Sequence, residues 1–231
     1  MAAILAESDK QAVNVEHLVD LGDPYSGYNR SIPISSFLPP LLAELGLPTV
    51  IHGLDSVSPK FGLTHRHISE ALGLTVDHST AQAKARLEDP AIGWTYIDQA
   101  SYCKGLHDMV SLRDRVIKRT VVNTVETLIG PLRGKTTHSI LGYVHKPYPP
   151  IYAHLVKASG MDSALLVRGV EGGVIPSLRQ KGLMVSYEGT DEKDRVDIDP
   201  KSLGIEQDMR AISFPGELDV HQNISELADY T

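Results

Sequence analysis

The chain has 231 residues, of which 42% are hydrophobic, and it carries a formal net charge of −7. This length suffices to bury the core of one α/β domain, and the single cysteine, Cys103, excludes an internal disulfide and any metal site built from several cysteines. No apolar run approaches the roughly 18 residues that a membrane-spanning helix needs, and the start of the chain lacks the cationic head of a signal peptide. We therefore expect a cytoplasmic protein with no membrane partner.

The net charge is distributed unevenly along the chain. Residues 188–231 contain 12 acidic and 4 basic side chains, a net charge of −8, which leaves +1 for residues 1–187. Residues 104–135 contain seven basic and three acidic side chains. An acidic protein is at first a poor partner for nucleic acid, because Lys and Arg supply most of that affinity by neutralising phosphates. The basic segment nevertheless allows one basic face on an acidic molecule.

Five short apolar runs predict strands, and they alternate with segments of helical periodicity. The runs are residues 13–21, 48–51, 94–97, 138–144 and 164–168. Helical segments are expected at residues 33–45, 65–72, 80–87, 106–115, 121–129 and 152–159. This alternation predicts an α/β fold in which all five strands lie in one sheet and helices cover both of its faces.

The ends of the chain differ from this pattern and define its expected domain organisation. Residues 1–12 resemble the end of a helix, residues 13–187 form the expected α/β domain, and residues 188–231 form an acidic extension. Past Gly182 we expect two short strands, at residues 183–187 and 195–198. Residues 220–230 are compatible with either a helix or a frayed tail.

The turn at residues 52–62 is the strongest candidate for a phosphate site. A β-branched run leads into His52 and Gly53, and a helix is expected to begin near His65. Hydroxyls, unpaired backbone N–H groups and a lysine at a strand-to-helix turn are typical of anion sites. The candidate contacts from this turn are His52, Gly53, Ser56, Ser58 and Lys60, and His65 is a further candidate. The alternative is a turn that is inherited with the fold and has only a structural role.

The second candidate surface is basic. Arg113, Arg115, Lys118 and Arg119 fall close together in the expected helical region and could face the turn across a cleft. An ordinary solvated helix face, with Asp114 as a neighbour, explains the same pattern. We interpret His107, His138, His145 and His154 as structural, because they are scattered through the sequence without metal-ligand spacing.

Four motifs then occur in a fixed order. They are His52-Gly53 with Ser56-Val57-Ser58, Arg113 with Arg119-Thr120 and Asn123, Gly130-Pro131-Leu132, and Leu165-Leu166-Val167-Arg168-Gly169 with Glu171-Gly172. In this arrangement, over roughly residues 15–187, the chain resembles anthranilate phosphoribosyltransferase, a glycosyltransferase family 3 enzyme that shares a fold group with the pyrimidine nucleoside phosphorylases. The resemblance implies a mixed, mostly parallel sheet, with phosphoribosyl diphosphate (PRPP) and Mg²⁺ bound against a small helical domain. Residues 1–12 would be the remnant of that helical domain.

The chain departs from the family at the residues that carry its chemistry. The Gly-Thr-Gly-Gly-Asp diphosphate loop of the family falls on residues 21–25, where Gly22 is retained and Pro24 removes an N–H. The Asp-Glu pair that holds Mg²⁺ falls on Val174 and Ile175, which cannot ligate a hard cation. This combination resembles a divergent branch of the family, some of whose members bind nucleic acid.

We therefore expect a binding protein whose partner bears phosphate groups, DNA or RNA in preference to a free nucleotide. The expected contacts are Gly22, His52, Gly53, Ser56, Ser58, Lys60, Arg113, Arg119 and Asn123, with His65 and Glu171 as further candidates. No catalytic residue, metal ligand or cofactor is expected. Mg²⁺ is expected as a cofactor only if the chain is an active phosphoribosyltransferase. That activity and a structural assembly module are the alternatives. The oligomeric state is left open between a monomer and a homodimer.

Overall fold

The structure is a computed structural model that describes residues 1–116 and 118–213. Its strands are β1 (Gln11–Ala12), β2 (His17–Gly22), β3 (Thr49–Gly53), β4 (Trp94–Asp98), β5 (Leu132–Arg133), β6 (Thr136–Tyr143), β7 (Ser163–Arg168), β8 (Gly182–Glu188) and β9 (Asp191–Ile198). Its helices are α1 (Ala2–Ala6), α2 (Leu38–Glu44), α3 (His65–Ala71), α4 (Thr80–Glu88), α5 (Gln99–Tyr102), α6 (Lys104–His107), α7 (Val110–Val116), α8 (Val122–Val125) and α9 (Tyr148–Ser159). The expected element at residues 220–230 lies outside the described residues.

One seven-stranded sheet organises the domain, in the order β4-β3-β2-β6-β7-β8-β9. The five strands from β4 to β7 are parallel, and β8 and β9 are antiparallel to their neighbours. The prediction that five apolar runs share one mostly parallel sheet is confirmed. The first of them begins at His17 and not at Val13, because residues 11–12 pair with β5 in a separate two-stranded sheet.

Helices cover both faces of the sheet, as the alternating pattern predicted. On one face, Ala83 and Leu87 of α4 pack against Val50 and Ile97. On the same face, the buried apolar residues of α9 pack against those of β6 and β7. On the other face, α2 and α3 contact β3 and β4. A strand buried on both sides needs apolar residues at nearly every position, which is why the strands are continuous apolar runs in the sequence.

The basic region from residue 104 to residue 128 is more broken than its periodicity suggested. Three helices of four to seven residues, α6, α7 and α8, and a 3₁₀ turn at Glu126–Leu128 replace the two expected helices. At the other end of the domain, the acidic segment after residue 187 begins within the sheet, since β9 pairs with β8. No helix within residues 1–116 and 118–213 is long and apolar enough to cross a membrane.

Gly142, near the end of β6, permits a close approach that the fold requires. A Cβ added there would lie 2.2 Å from the carbonyl oxygens of both Gly172 and Gly173. Because these are backbone atoms, relief needs a shift of the whole turn and not of one side chain. The glycine thus sets the distance between β6 and the turn that follows β7.

We expect Gly142→Ala to lower the free energy of unfolding by about 2–3 kcal/mol, the scale of overpacking in a tight interior. Urea denaturation measures this change. The matched control is Gly105→Ala in α6, where an added Cβ meets nothing within 4 Å. That substitution should be neutral or stabilising by up to about 1 kcal/mol, because alanine is the better helix former. Equal effects of the two substitutions would contradict the packing argument.

Candidate functional site

A buried carboxylate, Asp23, lies in the loop that follows β2. One of its oxygens accepts hydrogen bonds from the hydroxyls of Tyr28 at 2.7 Å and Ser35 at 2.5 Å and from His65 Nε2 at 2.8 Å. The other accepts the Val174 backbone N–H at 2.9 Å. Burial acts to raise the pKa of Asp23, but the hydrogen bond and charge of His65, with the two hydroxyls, hold it below its ordinary value. His65, expected as a phosphate contact, is therefore committed to this carboxylate.

His52 also lies inside the protein, and protein groups contact both of its ring nitrogens. Its Nε2 is 3.1 Å from Asp20 Oδ1, and its Nδ1 shares a hydrogen bond with the Tyr25 hydroxyl, which in turn bonds to Tyr102. Burial, followed by the influence of Tyr102, raises the pKa of Tyr25 well above its ordinary value. Gly53 ends the same inner strand and is buried. Both expected contacts are thus buried, because β3 has a neighbouring strand on each side and both of its faces are covered.

The turn at residues 56–62 docks directly onto the basic region. The Ser58 hydroxyl donates to the Arg113 carbonyl oxygen at 2.9 Å, and the Ser58 N–H donates to Asp114 at 3.2 Å. The Asn123 side-chain amide donates to the Ser58 carbonyl oxygen at 3.1 Å. These bonds close the cleft that we expected between turn and helix. Ser56 is half-buried on the same turn.

Arg113 is an internal cation and not a ligand contact. Its guanidinium forms two hydrogen bonds to Glu126, at 2.7 and 2.9 Å, and its side chain is 5% exposed. Burial raises the pKa of Glu126, and the bonds from Arg113 oppose that rise. A paired, parallel geometry of this kind satisfies both charges, so this arginine has no unpaired charge for a phosphate.

Lys60 and Glu171 form a second internal pair, with 3.4 Å between Lys60 Nζ and the carboxylate. The same carboxylate accepts the backbone N–H groups of Asn29 and Arg30, at 3.0 and 2.9 Å, and the Ser31 hydroxyl at 3.0 Å. Burial raises the pKa of Glu171, but these backbone bonds and the charge of Lys60 bring it below its ordinary value. Glu171 thus anchors the loop at residues 29–31 to the turn after β7.

An open pocket of about 470 Å³ lies at the carboxyl ends of β2 and β6. Four of the predicted contacts line it: Gly22, Arg119, Asn123 and Glu171. Thr120, His145, Tyr148 and Tyr152 also line it. The predicted contacts from the 52–62 turn lie elsewhere, in the bonded positions described above. The pocket is therefore lined by residues after β2, β6 and β7 and by residues 119–127, and not by the 52–62 turn.

The position of this pocket follows from the sheet topology. From β2 the chain adds β3 and β4 on one side, and later β6 and β7 on the other. Loops after β2 and β6 therefore diverge, and a crevice at such a switch point is where open α/β sheets bind ligands. Gly22 lies at this point. A larger residue would not fit there, because a Cβ would lie 2.5 Å from the Thr127 carbonyl oxygen.

The aromatic side of the pocket was missed in the sequence. Ring centroids of Tyr148 and Tyr152 are 5.7 Å apart, and those of His145 and Tyr148 are 5.9 Å apart. Arg119 and Tyr148 are both exposed. The available signal was the spacing of the two tyrosines, four residues apart at the start of α9 and directly after a parallel strand. Such spacing places them on one helix face.

The residues present do not fit the Mg²⁺ that the family resemblance implies. Val174 is 3% exposed and packs with Leu21 and Ile51, and it contributes only a backbone N–H to the polar layer. Ile175 packs beside it without a side-chain oxygen. Within the described residues, no three carboxylate, imidazole or thiolate side chains converge on a metal position. No step through a metal is derived for this pocket.

We expect Glu171→Gln to lower the free energy of unfolding by about 1–2 kcal/mol near pH 7, because the bonds to Asn29, Arg30 and Lys60 lose a charged acceptor. The pKa of Glu171 is lowered in the fold, so its stabilising contribution is present above the ordinary glutamate pKa and is lost as pH falls through the folded value. The stability difference from wild type should therefore shrink between about pH 6 and about pH 3. Urea titrations at both pH values test this, with Glu44→Gln, an exposed position on α2, as the control. Parallel pH profiles for wild type and Glu171→Gln would contradict the assignment.

Comparison with known proteins agrees with this architecture. Residues 26–215 match the family model described as the glycosyl transferase family, a/b domain. The chain is 30% identical over 191 residues to an uncharacterized protein of Aquifex aeolicus, covering 83% of this chain and 55% of that protein. It is 27% identical over 204 residues to anthranilate phosphoribosyltransferase of Persephonella marina, covering 88% and 57%. The chain thus spans little more than half the length of these relatives.

Solved structures show the same fold at lower sequence identity. Anthranilate phosphoribosyltransferase from Saccharomyces cerevisiae, in complex with PRPP and Mg, superimposes with a TM-score of 0.67 at 18% identity, covering 99% of this chain and 58% of the enzyme. The enzyme from Thermus thermophilus gives a TM-score of 0.59 at 15% identity, covering 98% and 64%. Because the family model matches most of the chain, this protein belongs to the glycosyl transferase family with the α/β domain and is anthranilate phosphoribosyltransferase-like.

Proposed function

We propose that this chain binds the phosphate backbone of a nucleic acid in the pocket at the carboxyl ends of β2 and β6 and does not transfer phosphoribose. The observation that carries the proposal is that one open pocket is lined by an exposed cation, Arg119, by the exposed ring of Tyr148 and by the adjacent ring of Tyr152. A guanidinium pairs with phosphate oxygens, and tyrosine rings stack on bases.

The charge around the pocket supports a weak and salt-sensitive interaction. Lys118 and Lys146 are exposed and adjacent in sequence to the lining residues Arg119 and His145. Arg113 and Lys60, which we had counted among the phosphate contacts, have their charges paired internally. The remaining cations form a small group on a protein of net charge −7, so long-range attraction is limited.

The aromatic groups favour single-stranded over double-stranded nucleic acid. A base must leave its duplex before it can stack on a side chain, whereas a single strand presents its bases directly. The pocket volume of about 470 Å³ is suited to one or two nucleotide units and not to a duplex. We therefore expect a short binding site that contacts the phosphate backbone and the faces of the bases and has no sequence preference.

The second candidate function is PRPP-dependent phosphoribosyl transfer, favoured by the family membership and by the likeness to an enzyme solved with PRPP and Mg. Against it stand the apolar side chains at Val174 and Ile175 and the internal pairing of Arg113. Without a metal or an equivalent cation, the charge that develops on a diphosphate leaving group is not neutralised. A structural assembly module is the third reading, in which neither ligand binds.

The direct test of the proposal is fluorescence anisotropy with labelled oligothymidylate in low salt. We expect weak binding. The logarithm of the association constant should fall linearly with the logarithm of the salt concentration, with a slope of about −0.7 for each phosphate contacted. Arg119→Ala should reduce the size of that slope by the contribution of about one phosphate contact. Tyr148→Ala should weaken binding by about 1–3 kcal/mol, because a stacking ring is lost. The matched control is Lys104→Ala, which removes an exposed cation of the same basic region outside the pocket. Absence of binding to single-stranded DNA and RNA in low salt would overturn the proposal.

The alternative is tested by activity and by ligand-dependent melting. We expect no Mg²⁺-dependent release of diphosphate from PRPP in the presence of anthranilate, and no increase in melting temperature with PRPP and Mg²⁺ together. The double substitution Val174→Asp, Ile175→Glu should not restore transfer, because the diphosphate loop retains only Gly22. Detection of PRPP turnover by the unaltered chain would establish the enzyme instead.

A further inference from the structure

A second cavity, of about 670 Å³, lies on the other side of the sheet from α9 and toward the amino ends of its parallel strands. Residues of β6, β7 and β8 line it, among them His138 and Ser163. Neither the phosphate pocket nor the buried network around Asp23 uses these residues. The cavity is therefore independent of the proposed function.

Two histidine rings meet at the rim of this cavity. His17 is the exposed first residue of β2, and His138 is a half-buried residue of β6, the neighbouring strand. The His17 Nδ1 and His138 Nε2 atoms are 3.0 Å apart, and the ring centroids are 5.2 Å apart at an angle of 31°. The parallel register fixes this meeting, because His138 lies opposite Val19, which points to the same face as His17.

The other nitrogen of His138 is also held in place. Its Nδ1 lies 2.7 Å from the Ser163 hydroxyl on β7. If Nδ1–H donates to that oxygen, Nε2 carries the lone pair and accepts the Nδ1–H of His17. Histidine ligands of metals are ordinarily oriented in this way, by a hydrogen bond at the nitrogen that does not bind the ion.

The two nitrogens are at hydrogen-bonding distance, and this separation is also close to that between adjacent ligands of one metal ion. With metal–nitrogen bonds of about 2.0–2.1 Å, two nitrogens 3.0 Å apart subtend roughly 95° at the ion. A tetrahedral angle would need a separation of about 3.3–3.4 Å for the same bond length. An angle near 90° corresponds to two adjacent positions of a square-planar or octahedral ion, which suits Cu²⁺ or Ni²⁺ with nitrogen ligands.

We propose that His17 and His138 form a two-imidazole binding site for a divalent first-row transition metal, with Cu²⁺ or Ni²⁺ preferred. Both rings turn so that a lone pair of each reaches the ion, and the hydrogen bond between them is lost. The His17 proton moves from Nδ1 to its solvent-facing Nε2, so neither ring gains or loses net charge. Mg²⁺ and Ca²⁺ are excluded as occupants, because they take oxygen ligands.

The protein supplies two ligands to this ion, and the other positions are open. Among residues 1–116 and 118–213, no third histidine, cysteine or carboxylate completes the set. The neighbouring cavity leaves room for water or for an oxygen-bearing small molecule in the remaining positions. The site is thus exchangeable and of moderate affinity, in contrast to a closed structural metal site.

The test is isothermal titration of the tag-free chain with Ni²⁺, supported by the electron paramagnetic resonance spectrum of the Cu²⁺-loaded chain. We expect one ion per chain and hyperfine coupling to two imidazole nitrogens in the wild type. His17→Ala and His138→Ala should each weaken binding at least about 10-fold, and Ser163→Ala should weaken it up to about 10-fold by releasing the ring of His138. His17 is exposed, so its substitution is expected to leave the fold intact, as a melting curve without metal will verify.

The matched control is His154→Ala, an exposed histidine on α9. It should retain wild-type Ni²⁺ affinity and the two-nitrogen spectrum. The proposal is overturned if the His17 and His138 variants bind Ni²⁺ as tightly as wild type, if His154→Ala causes the same loss, or if Mg²⁺ in equal amount displaces Ni²⁺. Loss of nucleic-acid binding has no bearing on this outcome, because the two sites lie at opposite ends of the strands.

Discussion

The carboxylate of Asp23 is the contact on which the carboxyl edge of the sheet depends. It holds three separate segments: its own loop through Tyr28 and Ser35, helix α3 through His65, and the turn after β7 through the Val174 backbone. A fully buried charge is costly unless donors surround it, and here four donors do so. The positions of Gly142 and Gly173 against each other depend on the same arrangement, since the turn can approach β6 only where Val174 is tied down.

Several polar and charged groups near this edge are paired inside the protein. Arg113 bonds to Glu126, Lys60 to Glu171 and His52 to Asp20, each pair partly or wholly removed from water. Removing one partner of a buried pair leaves the other charge uncompensated, which is strongly destabilising. These pairs therefore hold together the loops and helices of this edge.

The two proposed sites lie at opposite ends of the parallel strands and differ in kind. At the carboxyl end, diverging loops around the switch point form an open pocket with a cation and stacked rings. At the amino end, strand register alone brings His17 and His138 together on a flat face. The chain spans about 55% of the length of the related Aquifex aeolicus protein.

The sequence by itself determined the class of fold, because apolar runs buried on both faces can form only inner strands, and glycine stops mark where helices end. It also named Gly22, Arg119, Asn123 and Glu171 within a longer set of candidate contacts, but it did not separate these four, which line one pocket, from the others. Only the tertiary structure decided which polar groups face outward. His52, Ser58, Lys60 and Arg113 are chemically suited to bind phosphate, yet each has a partner far away in the chain, and hydrogen bonding to that partner is a long-range property that local spacing does not encode. The same holds for the pair His17 and His138: a parallel sheet joins strands more than 100 residues apart, and their register exists only once the core has packed.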